Sequence, residues 1–224
     1  MGLFDLFKGN QVALIDQAFD DVKVMLKNGH EMFAAATARL LENEILDADL
    51  EALDHEINAR EQRLRSAVME HLVVNPAREL YLSLILISIV HEAERIGDYA
   101  KSISEVSELA DGPRLGPLVV PLRDIRDGIL QNFARTREGF IEDDEVIARQ
   151  LLTDHVRLKA RLNQYIAALA ARTDITPNEA VVYALGARMM SRVSSHLANI
   201  ASTVAYPFEK IRRGPHDLDA DGER

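Results

Sequence analysis

LYLSLILISIVHEAERIGDYAKSISE, residues 80–105, opens on a long apolar run and continues with Ile96, Tyr99 and Ile103, then Val106 just beyond it, at helical spacing. The spacing predicts one helix. The run from Leu80 to Val90 is interrupted by Ser83 and Ser88 and falls short of the about 20 residues a membrane span needs, so the segment reads as a helix buried on most sides. Beyond the run, Glu94 and Asp98 stand four residues apart, with Gly97 between them, and share one helix face.

Working outward, Asn75-Pro76 closes the preceding helix, because a residue before proline is pushed out of the helical region. That helix, from about Glu44 to Val74, carries the core stripe Leu46, Leu50, Leu53, Ile57, Leu64, Val68 and Leu72. A first helix from about Asn10 to Glu42 has Leu14, Ala18, Val22, Met25, Phe33 and Leu40 on its apolar face, and is read as continuous through the turn signal Asn28-Gly29. Downstream, DGPRLGP (111–117) ends the third helix and marks a boundary. The plan then repeats. A helix from about Leu118 to Phe140 is followed by one beginning after EDDE (142–145) and ending near Arg172, and Thr176-Pro177 opens the last, which stops at Gly214-Pro215. The expected fold is all-α, two tandem three-helix bundles over residues 1–112 and 118–213, joined by 113–117 and followed by an acidic tail.

Composition agrees with long helices and narrows the chemistry. Seven prolines and eleven glycines are few for 224 residues. A net charge of −10 without a dense Lys/Arg cluster argues against nucleic acid. The absence of cysteine removes thiolate metal sites and cysteine nucleophiles and fits a cytoplasmic location. No phosphate-cradling glycine loop, nucleophile elbow or Glu-x-x-His pair is present, so the chain is not read as an enzyme. MGLFDLFKGN lacks the core of a secretory signal and no membrane insertion is expected; its Leu3, Phe4, Leu6 and Phe7 tuck against the bundle or anchor an interface. In the tail, Asp217, Asp219, Asp221 and Gly222 copy the opening of an EF-hand loop without its closing glutamate, and an acidic, unstructured tail is the expectation.

Asp47, Glu51, Asp54 and Asn58 form a second stripe beside the core stripe of helix 2. Helices 2 and 3 must run antiparallel across the turn near residue 75, and counting from it puts Glu51 level with residue 100 and Asp54 with residue 97. Carboxylates converging without basic partners repel one another, and a hard cation would relieve them. His91, one turn before Glu94, could extend such a site. The competing reading is a solvated helix face, since Glu94 and Asp98 point nearly opposite the apolar stripe and Arg95, Lys101 and Arg60 stand within reach.

EAERIGDYAKSI resembles the signature of the PhoU family, close to E-R-I-G-D-x-A-x-N-I-A-E, with Ser102 in place of the usual Asn. The resemblance covers most of the chain. It implies a regulator of phosphate uptake and phosphate signalling that contacts a phosphate transporter component and a sensor kinase, with a homodimer left open. It also implies metal ions, of the set Fe, Mn, Zn or Mg, on the first repeat, held by Asp47, Glu51, Glu94 and Asp98. The second repeat departs from the signature: Ser191 stands at the Glu position, Ser195 at the Asp position and Ser194 at the Gly position, while His155 and Lys159 replace the acidic pair of the preceding helix. His155 and His196 fall near one height, which leaves an imidazole site open there. The alternative from another class is a metal-free helical scaffold that binds a partner in its grooves.

Overall fold

A computed structural model describes residues 12–74, 80–207 and 210–211. The described residues form six helices: α1 (Val12–Glu42), α2 (Leu50–Val74), α3 (Leu80–Glu108), α4 (Val119–Glu142), α5 (Glu145–Ala170) and α6 (Pro177–Ala205). The opening decapeptide, Asn75-Pro76, Gly214-Pro215 and the EF-hand-like tail lie outside the described residues. The all-α reading holds.

α1 passes straight through Asn28-Gly29. A Cβ on Gly29 would lie 2.9 Å from Ile96 Cγ2, so the glycine serves the close approach of α1 to α3, and the turn signal is overridden by packing. Gly97 does the same on the other side of α3, where a Cβ would meet Ile57 Cδ1 of α2 at 3.2 Å.

Helix 2 starts later than the sequence suggested, at Leu50. Asn43 takes a left-handed conformation (φ 59°) that ends α1, and Asp49 accepts a hydrogen bond from the Ala52 N–H at 3.0 Å, which fixes where α2 begins. Asp47 therefore sits in the crossing segment, off the face that carries Glu51. The EDDE stretch is divided between two helices. Asp143, also left-handed (φ 52°), closes α4, while the Asp144 carboxylate accepts from the N–H groups of Val146 and Ile147 and caps α5. Thr176 and Glu179 form a reciprocal capping box behind Pro177 at the start of α6.

The last carbonyls of α1 are satisfied from the second half of the chain. The Arg114 guanidinium donates to Arg39 O (2.6 Å) and Leu40 O (3.0 Å), and Arg123 donates to Leu41 O (3.0 Å) and pairs with Glu42 (2.6 Å). Residues 113–117 are thus stapled to α1.

α3 lies at the centre, packed on α1 and α2 and, across the two halves, on α6. Ile85, Ile89, Ile96 and Ile103 of α3 share one core with Phe33 and Leu40 of α1, Ile125 and Phe133 of α4, and Met190, Val193 and Leu197 of α6. α3 is less enclosed than its apolar run suggested, because Leu80, Tyr81 and Leu84 remain exposed. Among the described residues no helix is long and apolar enough to cross a membrane.

Candidate functional site

The flank shared by α2 and α3 divides into two parts. In the lower part the counted register holds: Lys101 Nζ on α3 donates to Glu51 Oε2 (3.3 Å) and Asp54 Oδ2 (3.1 Å) on α2. Both acids are matched to one ammonium group, whose pKa is raised chiefly by the hydrogen bond to Asp54. Asp54 is buried, and its Oδ1 has no hydrogen-bond partner and would lie 3.7 Å from a Cβ on Gly97.

In the upper part the acids are less well matched. Glu94 Oε2 lies 3.8 Å from His91 Nδ1, which is 3.9 Å from Glu61 Oε1 on α2. Arg95 pairs with Asp98 at 2.8 Å, and its charge only partly offsets the crowding of Glu94. Burial, then repulsion from Asp98 and Glu61, pushes the Glu94 carboxyl up to about 7. The outward-facing position expected of Glu94 is corrected here, since its side chain is only 18% exposed, in the crease between α2 and α3. Asp98, at 38%, is more open.

The four residues expected to share a cation are consequently spread out. Asp47 precedes α2, Glu51 is held by Lys101, and Glu94, beside Asp98 and Glu61, lies at a different level of the flank. Among the described residues no three His, Asp or Glu side chains are arranged to hold a metal ion.

Sequence reading missed the polar cluster at the α3–α6 seam. Glu92 is buried, and its Oε2 accepts from His196 at Nδ1 (2.7 Å) and from Asn199 Nδ2 (2.8 Å). A signal was available, because Glu92 lies four residues before Ile96 and so on the buried stripe. Tyr99 stacks on His196 with ring centroids 5.3 Å apart, and its hydroxyl accepts from Arg192 Nε at 3.1 Å. Tyr99 and His196 hold the same position in the two copies of the signature, as do Arg95 and Arg192, so the repeats meet through equivalent side chains.

The second copy of the flank carries no acid cluster. His155 Nδ1 on α5 hydrogen-bonds Ser194 Oγ at 2.8 Å, and burial, aided by Lys159, pushes the imidazole down to about 4. His155 and His196 do not face each other: Ser194 and His196 are two residues apart on α6 and project to opposite sides, one to α5 and the other to α3. Ser195 turns its hydroxyl back onto Ser191 O at 2.9 Å.

Residues 15–107 match the family model described as the PhoU domain. The chain is 25% identical over 179 residues to the phosphate-specific transport system accessory protein PhoU homolog of Deinococcus radiodurans, covering 77% of this chain and 83% of that protein. Its fold is similar to that in the crystal structure of PhoU from Pseudomonas aeruginosa, with a TM-score of 0.78 at 19% identity over 88% of this chain and 98% of the other. That likeness speaks for the fold. The domain match at residues 15–107 contains the EAERIGDYAKSI motif on α3, so this part of the chain carries a PhoU domain, and the chain as a whole is similar to PhoU proteins in sequence and in fold.

Proposed function

We propose that this chain is an accessory regulator of phosphate uptake and phosphate-responsive signalling, acting in the cytoplasm by contact with a phosphate transporter component and a sensor kinase. The single observation that carries the reading is the match to a phosphate transport accessory protein over 77% of the chain. The architecture agrees with a protein that works by contact. Met69 and Val73 at the end of α2 and Leu80 and Leu84 at the start of α3 expose apolar surface at adjoining helix ends, where a partner could cover it. The test is phosphate-regulated gene expression in a strain lacking the chain. Expression that no longer follows phosphate supply is expected, and expression unchanged across phosphate levels would reject the role.

A metal on the first repeat belongs to the same proposal, with a changed ligand set. The support is electrostatic: the repulsion of Glu94 by Asp98 and Glu61 is what a bound cation would remove. Glu94 and Asp98, with Glu61 and His91 beside them, are the residues that would hold it, and their carboxylate oxygens suit Mg, Mn or Fe better than zinc. Asp47, which precedes α2, and Glu51, held by Lys101, lie at another level of the flank, and a cation at the upper level would displace Arg95 from Asp98 and Arg65 from Glu61. Metal analysis of protein purified without chelator should find bound metal that the Glu94→Ala, Asp98→Ala variant loses. Wild-type protein that stays metal-free after reconstitution would rule the metal out and leave the metal-free scaffold.

A further inference from the structure

In a chain of net charge −10, cations without a carboxylate partner are conspicuous. Most of the described Arg side chains are engaged in ion pairs, as Arg39, Arg60, Arg65, Arg95, Arg126 and Arg135 show. Lys27 on α1 and Arg137 on α4 form no salt bridge among the described residues, although the Lys27 charge also acts on Glu56 of α2, and both border the same hollow. The hollow lies in the groove where the first half packs on the second. It has a volume of about 230 Å³ and is lined by Leu26, Lys27, His30, Phe133, Ala134 and Arg137.

Its chemistry is uneven along its length. The His30 imidazole meets the Phe133 ring edge-on at 5.3 Å, and burial, followed by the nearby Arg137 charge, lowers its pKa against a smaller opposing effect of Glu31. It therefore stays neutral at pH 7 and offers one ring N–H and one ring nitrogen acceptor. Past Ala134 the groove widens into a second hollow of about 470 Å³, where Lys23, Lys27 and Arg137 stand beside Glu138 and Glu142 and the charges are mixed. The hollow at the His30 end is lined by Lys27 and Arg137 and by no acid. Two permanent positive charges, a neutral donor and a small volume suit a compact dianion better than an extended molecule, and an arginine fork can grip a tetrahedral oxyanion through two N–H groups.

We propose that the groove between α1 and α4 binds a phosphate group, either free or at the end of a phosphomonoester, held between Lys27 and Arg137 with His30 as a hydrogen-bond partner. Because the two cations come from different halves, the bound anion ties the halves together and binding registers as added stability. The choice of phosphate over other oxyanions rests on the reading of the chain as a phosphate regulator; the place and charge of the site do not.

The test is isothermal titration of the full chain in chloride buffer with three probes, inorganic phosphate, glycerol 3-phosphate and AMP. At least one should bind saturably, and the tightest identifies whether the group is taken free or as an ester. Lys27→Ala combined with Arg137→Ala should weaken that affinity by at least about tenfold, since two charge-assisted contacts are lost. Both side chains are exposed, so the variant should melt with the parent. Independently of any variant, added sodium chloride should weaken binding to the parent protein. Phosphate stabilises many proteins by exclusion from their surface, so a rise in melting temperature supports the site only where the double variant lacks it. No saturable binding of any probe, an unchanged affinity in the double variant, or sulfate bound as tightly as phosphate would overturn the proposal. Failure of the regulatory role would show separately, as normal phosphate-controlled expression in the deletion strain despite intact binding.

Discussion

The α2–α3 flank of the first repeat and the α5–α6 flank of the second are built on the same plan and have opposite electrostatics. In the first, Glu94 is crowded by Asp98 and Glu61, and its carboxyl is pushed up to about 7. In the second, Ser191 and Ser195 stand in place of Glu94 and Asp98, and the half-buried His155, bonded to Ser194, is pushed down to about 4. One flank stores repulsion between carboxylates, whereas the other has Lys159 beside a neutral imidazole bonded to a serine. A duplicated fold can therefore keep its packing while only one copy keeps crowded acids, the property through which a cation or a basic partner would be recognised.

The largest effect is expected where the two copies touch. Glu92→Ala removes the acceptor shared by His196 and Asn199 and leaves both polar groups buried at the seam, which should cost about 3 kcal/mol of unfolding free energy by denaturant titration. A cost below about 1 kcal/mol would mean that the repeats do not depend on this contact.

The two flanks should also answer pH in opposite senses, measured in the presence of a chelator. The Glu94 pKa rises on folding, so its contribution is complete below about 4.5, the unfolded value, and is lost as pH climbs through about 7. The His155 pKa falls on folding, so its contribution is complete above about 6.5 and is lost as pH drops through about 4. Each is on the order of 2 kcal/mol after allowing for coupling to neighbours. Glu94→Gln should accordingly make stability rise more steeply between pH 4.5 and 7, and His155→Gln should flatten the loss between pH 6.5 and 4. Parallel slopes in the two variants would break the contrast.

Smaller effects follow from exchanging the residue at the signature glycine. Ser194→Gly strips His155 of its partner and should cost about 1 to 2 kcal/mol. Gly97→Ser brings a Cβ to 3.2 Å from Ile57 Cδ1, a contact a small side-chain shift relieves, at roughly 1 kcal/mol or less. Thermal melts of the two variants should keep this order.

Reading the chain linearly recovered the helices, the level of Glu51 and Asp54 against residues 97 to 101, and the family motif. It read α1 as continuous through Asn28-Gly29, as observed, although a glycine that lets α1 approach Ile96 looks the same in sequence as one that turns the chain. It placed Asp47 on α2, because Leu46 fits the apolar stripe whether it lies in a helix or, as observed, in a crossing segment that packs on the core. Arg60 shows the limit for charges: it was within reach of the flank acids on α3, yet it pairs with Asp21 and Glu56 on α1 and α2.

What the sequence determined by itself is everything governed by neighbours in the chain: helix periods, prolines that open helices, Asp and Thr caps, and the antiparallel register around a short turn. Only the tertiary structure decided which acids are matched and which are left repelling one another, that Glu92 joins the repeats, and that Arg114 and Arg123 finish α1. A helix is stabilised by contacts three and four residues apart, whereas the state of a charge depends on burial and on partners that arrive from other helices.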